Sequence, residues 1–394
     1  MSIATLLAAL SLAIWAYLLL ARGGFWRAAE RDDLVPLKGA VVPKLPDNSA
    51  LSVTAVIPAR DEADVVGRAI SSLLAQDFAG RLDIVLVDDQ SSDGTAETAR
   101  AAAAALGASA RLTVLAGRPL PAGWTGKLWA LQQGIDHVLA RPAPADFLLL
   151  TDADIAYAPE TVTGLVAEAA AEGLVLNSRM AKLTCANPAE RALIPAFIFF
   201  FQMLYPFAWV NRPARPIAAA AGGCMLARRE ALLAAGGIES IRGELIDDCA
   251  LARRLKARGP IRLTLTERVR SLRPYAGLGE IRRMVARSAY AQLRFSPLLL
   301  VGTALGMVVT YLVPPLLVFF GSAWLLALAA WAAMTLAFQP VLRFYRLSPL
   351  WGLALPAIAA LYLLFTLDSA WQHWRGRGGF WKGRAQAPGA SGAA

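Results

Sequence analysis

Four acidic clusters stand in a set order along the middle of this chain, and carboxylates so arranged can hold a divalent cation and accept a proton. Asp61 and Glu62 follow the apolar run Val53–Pro58, and Asp88 and Asp89 follow Ile84–Val87. Asp152 and Asp154 follow Phe147–Leu150, while Asp247 and Asp248 follow Leu245 and Ile246 and open a helical pattern. In an open α/β sheet, ligands bind outside the carboxyl ends of the strands. Acids at several such ends therefore converge on one cleft. On a chain with a formal net charge of +10, an acid-lined cleft points to a divalent metal with a diphosphate rather than a bare anion.

Each cluster suits a different task. Asp152 and Asp154, two residues apart in a turn, can face one Mg²⁺ or Mn²⁺, hard ions that take oxygen ligands and bridge protein carboxylates to substrate phosphates. A metal there would offset charge on a departing diphosphate. Asp88 and Asp89 can accept hydrogen bonds from a nucleobase or a ribose, and the Ser92-Asp93 pair beside them supplies a helix cap. Pro58 makes a tight exit from the first strand, leaving Asp61 or Glu62 to touch a nucleoside. Two adjacent acids such as Asp247 and Asp248 repel, which raises one pKa towards the range of a general base; as plain charges they also suit a helix N-terminus. Lys127, after Gly123-Trp124-Thr125-Gly126, is a candidate phosphate contact, and Gly222 and Gly223 allow close backbone approach by a ligand.

The elements that must position these groups follow from periodicity. Short β-rich runs at 53–57, 82–87, 111–116, 147–150, 174–177 and 261–270 alternate with helical patterns at 64–75, 127–139, 159–171 and 247–258. That alternation predicts a Rossmann-like, mostly parallel α/β sheet with helices on both faces. The residues 192–210 are apolar and aromatic, and read either as a buried helix pair or as a segment in the membrane interface.

Composition sets the surroundings. Apolar residues make up 57% of the 394-residue chain. Ala4–Leu20 is about 17 residues without charge, Leu298–Phe338 about 40, and Leu350–Leu367 about 18, all near or above spanning length. Pro314-Pro315 offers a break between two spans in the second run. The expected organisation is an uncleaved signal anchor at 1–21, a polar linker at 22–50, a catalytic domain at 51–296, a C-terminal region of two or three spans at 297–370, and a basic, partly disordered tail at 371–394. Arg22, Arg27 and Arg31 after the first run place the catalytic domain in the cytoplasm, and Arg375, Arg377, Lys382 and Arg384 favour a cytoplasmic tail. Arg282, Arg283, Arg287 and Arg294 before the first C-terminal span suit anionic lipid. With only His137 and His373, a histidine-based zinc site is excluded, and Cys185, Cys224 and Cys249 form no close pair. No nucleic-acid partner is expected.

The ordered set V-I-P-A-R-D-E, V-D-D-Q-S-S-D-G-T, G-K-L-W-A-L, T-D-A-D and I-D-D-C-A-L resembles the family 2 glycosyltransferases of GT-A fold over residues 53–275. The resemblance implies that Asp61 or Glu62 and Asp89 touch the nucleoside of a sugar nucleotide, that Asp152 and Asp154 form the metal-binding D-x-D, and that Asp248 is the catalytic base. Asp247 stands where that family usually has Glu. The family's Q-x-x-R-W is replaced by a stretch containing Gln292, Arg294 and Phe295 at a different spacing. This departure argues against a cellulose- or ceramide-type acceptor site and leaves Arg294 as a candidate acceptor or diphosphate contact. Pro195-Ala196-Phe197, Leu204-Tyr205-Pro206-Phe207, Ala220–Leu226 and Arg273-Pro274-Tyr275 are similar to the bacterial hopene-associated glycosyltransferases. That likeness implies a multi-pass enzyme of the bacterial inner membrane. It would move a sugar from a UDP-linked donor to a lipid hydroxyl with inversion, in hopanoid biosynthesis. Polyprenyl phosphate, a carotenoid or a glycerolipid are alternative acceptors, and a non-catalytic nucleotide-sugar-binding scaffold is the alternative of a different class.

Overall fold

The structure, a computed structural model, describes residues 2–34, 51–376, 380–381 and 384–385. The expected linker segment 35–50 and most of the tail, including Arg377 and Lys382, lie outside the described residues. The chain divides into two compact units. One is drawn from Glu30–Thr184 and Val210–Arg273, and the other from Met1–Ala29, Cys185–Trp209 and Pro274–Gly379.

The first unit is built on one mixed sheet. Its strands are β1 (Ser52–Ala59), β2 (Arg81–Asp88), β3 (Leu112–Ala116), β4 (Phe147–Leu150), β5 (Ile155–Tyr157), β6 (Leu176–Lys182), β7 (Met225–Arg228) and β8 (Ile261–Ser271). They lie in the order β3-β2-β1-β4-β7-β6-β8-β5. β1 is central and buried on both faces, as its run Val53–Ile57, apolar but for the buried Thr54, requires. It pairs in parallel with β2, Ala59 opposite Asp88, and with β4, Val56 opposite Leu150. These registers bring the chain ends that carry Asp61, Asp88 and Asp152 to one edge. β7 runs antiparallel to β4, with Met225 opposite Leu150, so Gly222 and Gly223 reach the same edge from the other direction. The predicted parallel character holds through β3-β2-β1-β4 and for β6 with β8, while β5 and β7 pair antiparallel.

The helix Gly126–Leu139 packs on β1 and β2 through a glycine. A Cβ on Gly134 would lie 2.5 Å from Cγ1 of Val56 and 3.2 Å from Cγ2 of Val87. Gly134→Val should therefore destabilise the unit by about 1–3 kcal/mol through overpacking. Thermal unfolding reads this directly, and an unchanged midpoint would mean that the helix is not seated this way.

Strand β6 runs on past the predicted end at Asn177 because its polar interior is paired. Asn177 donates to the carbonyl of Leu165 at 3.0 Å and to Glu168 at 2.8 Å. Arg179 is buried against Glu168 and Asp32. Asp32 itself enters with a short extension of the sheet. Its N–H donates to the carbonyl of Leu265, and Arg31 bridges β8 in parallel. Part of the expected linker is thus a fixed piece of this unit.

The second unit is helical. Among the described residues, four helices could cross a membrane by length and composition: Ile3–Leu20, Pro188–Val210, Pro297–Phe320 and Trp324–Phe344. The segment read as a helix pair or an interfacial stretch is mainly one helix, Pro188–Leu204, entered through a capping box on Asn187 and Glu190 and continuous through Pro195. Pro314-Pro315 does not break the next hydrophobic run. A π-helical turn at Val308–Leu312 precedes the prolines and absorbs their missing N–H groups, so the helix continues to Phe320 and the break falls at Gly321. The last apolar run, expected at 350–367, forms a 3-10 turn at Pro349–Gly352 and then a helix at Leu355–Trp374. That helix carries Asp368 and His373 and is not among the four of spanning character.

Candidate active site

The site lies at the carboxyl edge of β1, β2 and β4, within the first unit. Its nucleoside end is made of two loops hydrogen-bonded to each other. Asp61, with a left-handed φ of 50°, donates its N–H to Ser91 Oγ at 3.0 Å and accepts from the N–H of Ser92 at 2.9 Å. The N–H of Glu62 donates to Thr95 Oγ1 at 2.8 Å. Asp93 links the N–H of Ala63 to the N–H and hydroxyl of Thr95, at the start of the helix Thr95–Ala105. Asp88 accepts from the N–H of Ser91 at 3.0 Å, and Asp89 is fully buried with its carboxylate 3.9 Å from Arg60.

Asp61 and Asp88, predicted as nucleoside contacts, thus shape the loops in this structure, and Asp89 is sealed below the surface. Pro58 remains inside β1, opposite Val87. Gly117 closes this end: its N–H donates to the carbonyl of Asp88, and a Cβ there would stand 2.9 Å from that carbonyl and 3.0 Å from Cα of Asp89. No side chain other than hydrogen fits that approach.

The reaction end is organised around Lys127. Thr125 caps the helix Gly126–Leu139, which sets Lys127 in its first turn. Its ammonium lies 2.9 Å from Asp152 and 3.2 Å from Asp247. Asp152, Asp247 and Asp248 together hold Lys127 charged, well above its ordinary pKa, against the opposing effect of burial. Asp248 opens the helix Asp247–Lys256 and is held from two sides. It accepts from the N–H of Gly222 at 3.1 Å and from that of Cys249 at 2.7 Å. Gly222 leaves room for the lysine, since a Cβ would sit 3.1 Å from the Lys127 ammonium. Ser178 on β6 steadies the glycine turn, accepting from the N–H of Ala221 and donating to the carbonyl of Cys224. Tyr157 and Thr151 each donate to the carbonyl of Gly223.

Burial, then the neighbouring Asp247 charge, pushes the Asp248 carboxyl up to about 6, and Lys127 opposes the rise. A general base is active as the carboxylate, so transfer should fall as pH drops through about 6 and level off above it. Asp247→Asn removes the adjacent negative charge, which lowers the raised value and moves the acid limb of the kcat/KM profile to lower pH. A limb that moves upward, or no acid limb in the parent enzyme, would contradict the assignment.

Asp154 occupies the remaining corner. It accepts from Ser271 Oγ at 2.9 Å and lies 4.0 Å from Arg273, which also pairs with Glu62. Burial and then the Asp152 charge raise its pKa. Sequence reasoning quoted Arg273 only within a family-like motif and gave Ser271 no role. Neither sits in an acidic cluster or a glycine turn, and only the pairing of β8 with β5 brings them to the site. Arg294 belongs to the helical unit, exposed in a left-handed turn at φ 53°.

A divalent ion suits this corner. The oxygens of Asp152 and Asp154 are hard donors; Asp154 carries an unfavourable buried charge, and the buried Oδ2 of Asp247 makes no hydrogen bond beyond its charge contact with Lys127. Among the described residues no three His, Cys, Asp or Glu side chains form a closed cage. An ion of the Mg²⁺ type uses one or two protein carboxylates and takes its other ligands from substrate phosphates and water.

Residues 54–234 match the model of the family "Glycosyl transferase family 2". The match ends before Asp247 and Asp248. No curated protein matches the chain. Among solved structures, it is similar to the mannosyltransferase PcManGT from Pyrobaculum calidifontis, determined with GDP-Man and Mn²⁺. The identity is 19% and the TM-score 0.51, with 93% of this chain and 99% of that one covered. Weaker likenesses include glucosyl-3-phosphoglycerate synthase from Mycobacterium tuberculosis, with Mg²⁺ and uridine diphosphate, at 18% identity and a TM-score of 0.39 over 62% of this chain and 79% of that one. Mannosyl-3-phosphoglycerate synthase from Rubrobacter xylanophilus follows at 21% identity and a TM-score of 0.38, covering 62% and 72%. At 19% identity the likeness to PcManGT establishes a shared GT-A fold.

Proposed function

Taking as premise a glycosyltransferase whose residues 54–234 form a family 2 domain, we propose that the chain is a membrane-bound, inverting enzyme that moves a sugar from a nucleoside diphosphate to a lipid hydroxyl. The observation that carries this reading is the Asp248 carboxylate, fixed by two backbone N–H groups and facing the charge of Lys127, which itself pairs with Asp152. Asp248 takes the proton of the acceptor hydroxyl. The acceptor oxygen then forms its bond to the anomeric carbon as the bond from that carbon to the diphosphate breaks. The nucleoside diphosphate leaves with the electron pair. Lys127 faces the developing negative charge, and the loops around Asp61 and Asp89 receive the nucleoside. Asp154, with Asp152 in support, would hold Mg²⁺ or Mn²⁺, which when bound offsets charge on the leaving diphosphate. The Mn²⁺ and GDP-Man of the mannosyltransferase PcManGT support a metal-assisted reaction on a sugar nucleotide.

The acceptor proposal, a hopanoid hydroxyl, rests on the sequence likeness to hopene-associated glycosyltransferases. The four apolar helices suit a bilayer-resident lipid, and Arg22, Arg27 and Arg31 after the first of them favour a catalytic unit on the cytoplasmic side of a bacterial inner membrane. The purified protein, given UDP- and GDP-sugars, a divalent metal and lipid extracts with or without hopanoids, should add one sugar residue to a hopanoid, read by mass spectrometry. Glycosylation confined to polyprenyl phosphate, a carotenoid or a glycerolipid would replace the hopanoid assignment.

A further inference from the structure

A lysine in the first turn of a helix is opposed by the helix dipole, which favours negative charge there. Lys127 holds that place in the helix Gly126–Leu139, and what compensates it is the acid set it touches, Asp152 at 2.9 Å and Asp247 at 3.2 Å. Its side chain is 17% exposed, so the contact is made largely out of water, where charge pairs count for more. Arg273 does the same across the site, pairing with Glu62 and lying 4.0 Å from Asp154. Both carboxylates of the Asp152–Asp154 pair are therefore next to an internal cation. A divalent ion approaching Asp152 meets a carboxylate whose charge the ammonium on Oδ1 already offsets, so the two cations compete for it.

We propose that Lys127 is an exchangeable cation that competes with the divalent ion for Asp152 and yields to it only when a diphosphate is present to receive the ammonium. The proposal rests on reading Asp152 and Asp154 as the metal-binding pair. It makes metal and donor enter as a unit: each is weak alone, and each strengthens the other by the same factor, as linkage requires. Gly222 serves the exchange by leaving space at the ammonium, since a Cβ there would stand 3.1 Å from it. Arg273 plays the corresponding part for Asp154, more loosely.

The test is Mn²⁺ binding by electron paramagnetic resonance, on the full-length protein in detergent, without substrate turnover. Wild-type protein should bind Mn²⁺ weakly alone and more tightly with UDP or GDP. Lys127→Met should bind Mn²⁺ alone about tenfold more tightly than wild type and show a nucleotide enhancement smaller by about the same factor, the remainder coming from ligation by the phosphates, within the 5–150-fold span usual for coupled sites. Arg273→Gln should raise the affinity for Mn²⁺ alone in the same direction by less, and it serves as the second variant if Lys127→Met does not fold cooperatively. Unchanged or weaker binding of Mn²⁺ alone by the folded variants, with nucleotide-dependent binding intact in wild type, would overturn the exchange and leave the metal pair standing. No Mn²⁺ binding by wild type even with nucleotide would overturn the metal reading and the exchange together.

Discussion

Replacing Asp248 with alanine should lower sugar transfer by about 10³–10⁴-fold, at the upper end of what a positioned general base contributes, while donor binding stays close to wild type. The asymmetry follows from position. Asp248 is held by Gly222 and Cys249 at a helix start, whereas the groups that receive the nucleoside and the diphosphate come from β1, β2, β4 and Lys127. Its removal takes away the acceptor's proton sink and leaves the donor cradle in place. Asp248→Asn is the closer control in shape, although its single amide oxygen keeps only one of the two bonds, since Gly222 donates to one carboxylate oxygen and Cys249 to the other. It should be almost as inactive, since an amide does not take the proton. Turnover near the wild-type rate in either variant, measured with donor saturating, would remove Asp248 from the chemistry.

Asp154→Asn is the second large effect. Among the site acids Asp154 lies deepest on the metal side, bonded to Ser271 and raised in pKa by burial and by Asp152. Neutralising it removes the charge that would draw the ion into the corner. Metal affinity should fall by at least on the order of 10–100-fold, the loss that even supporting residues of a metal site produce. Donor affinity should fall with it in the presence of Mn²⁺ and change little in its absence. Calorimetric titration with UDP, with and without Mn²⁺, separates the two. An unaltered metal dependence would place the ion elsewhere.

Much of this site was legible because acids after apolar strands are a local signal. The parallel registers of β1 with β2 and β4 turn that signal into geometry without further information. What was not legible depends on non-local pairing. β5 and β7 are short, and each is held by a partner far along the chain, β5 by β8 and β7 by β4 and β6. β7 follows a run of alanines and glycines that has no strand period. Ser271 and Arg273 reach Asp154 only through the first of these pairings. The end of β6 was misplaced for a related reason: Ser178 and Arg179 look like a loop until Ala221 and Cys224 are seen to pair with the first, and Glu168 and Asp32 with the second.

The division of labour among the acids was also hidden. Asp61, Asp88 and Asp93 read as ligand contacts or caps, yet in the structure they tie two loops together. Their spacing carries both meanings, and the two roles are compatible. In the same way Pro314-Pro315 reads as a break, because sequence alone does not show the π-turn that lets the helix pass through it.

The most direct test of the central claim is release of nucleoside diphosphate by the purified protein in lipid. It would be measured across a panel of UDP- and GDP-sugars with Mn²⁺ or Mg²⁺, with and without hopanoid-containing extract, beside Asp248→Ala. Release with one donor that requires the metal, the extract and Asp248 together is the predicted result. Release that proceeds equally without the extract, or equally in Asp248→Ala, would contradict a lipid glycosyltransferase working through this base.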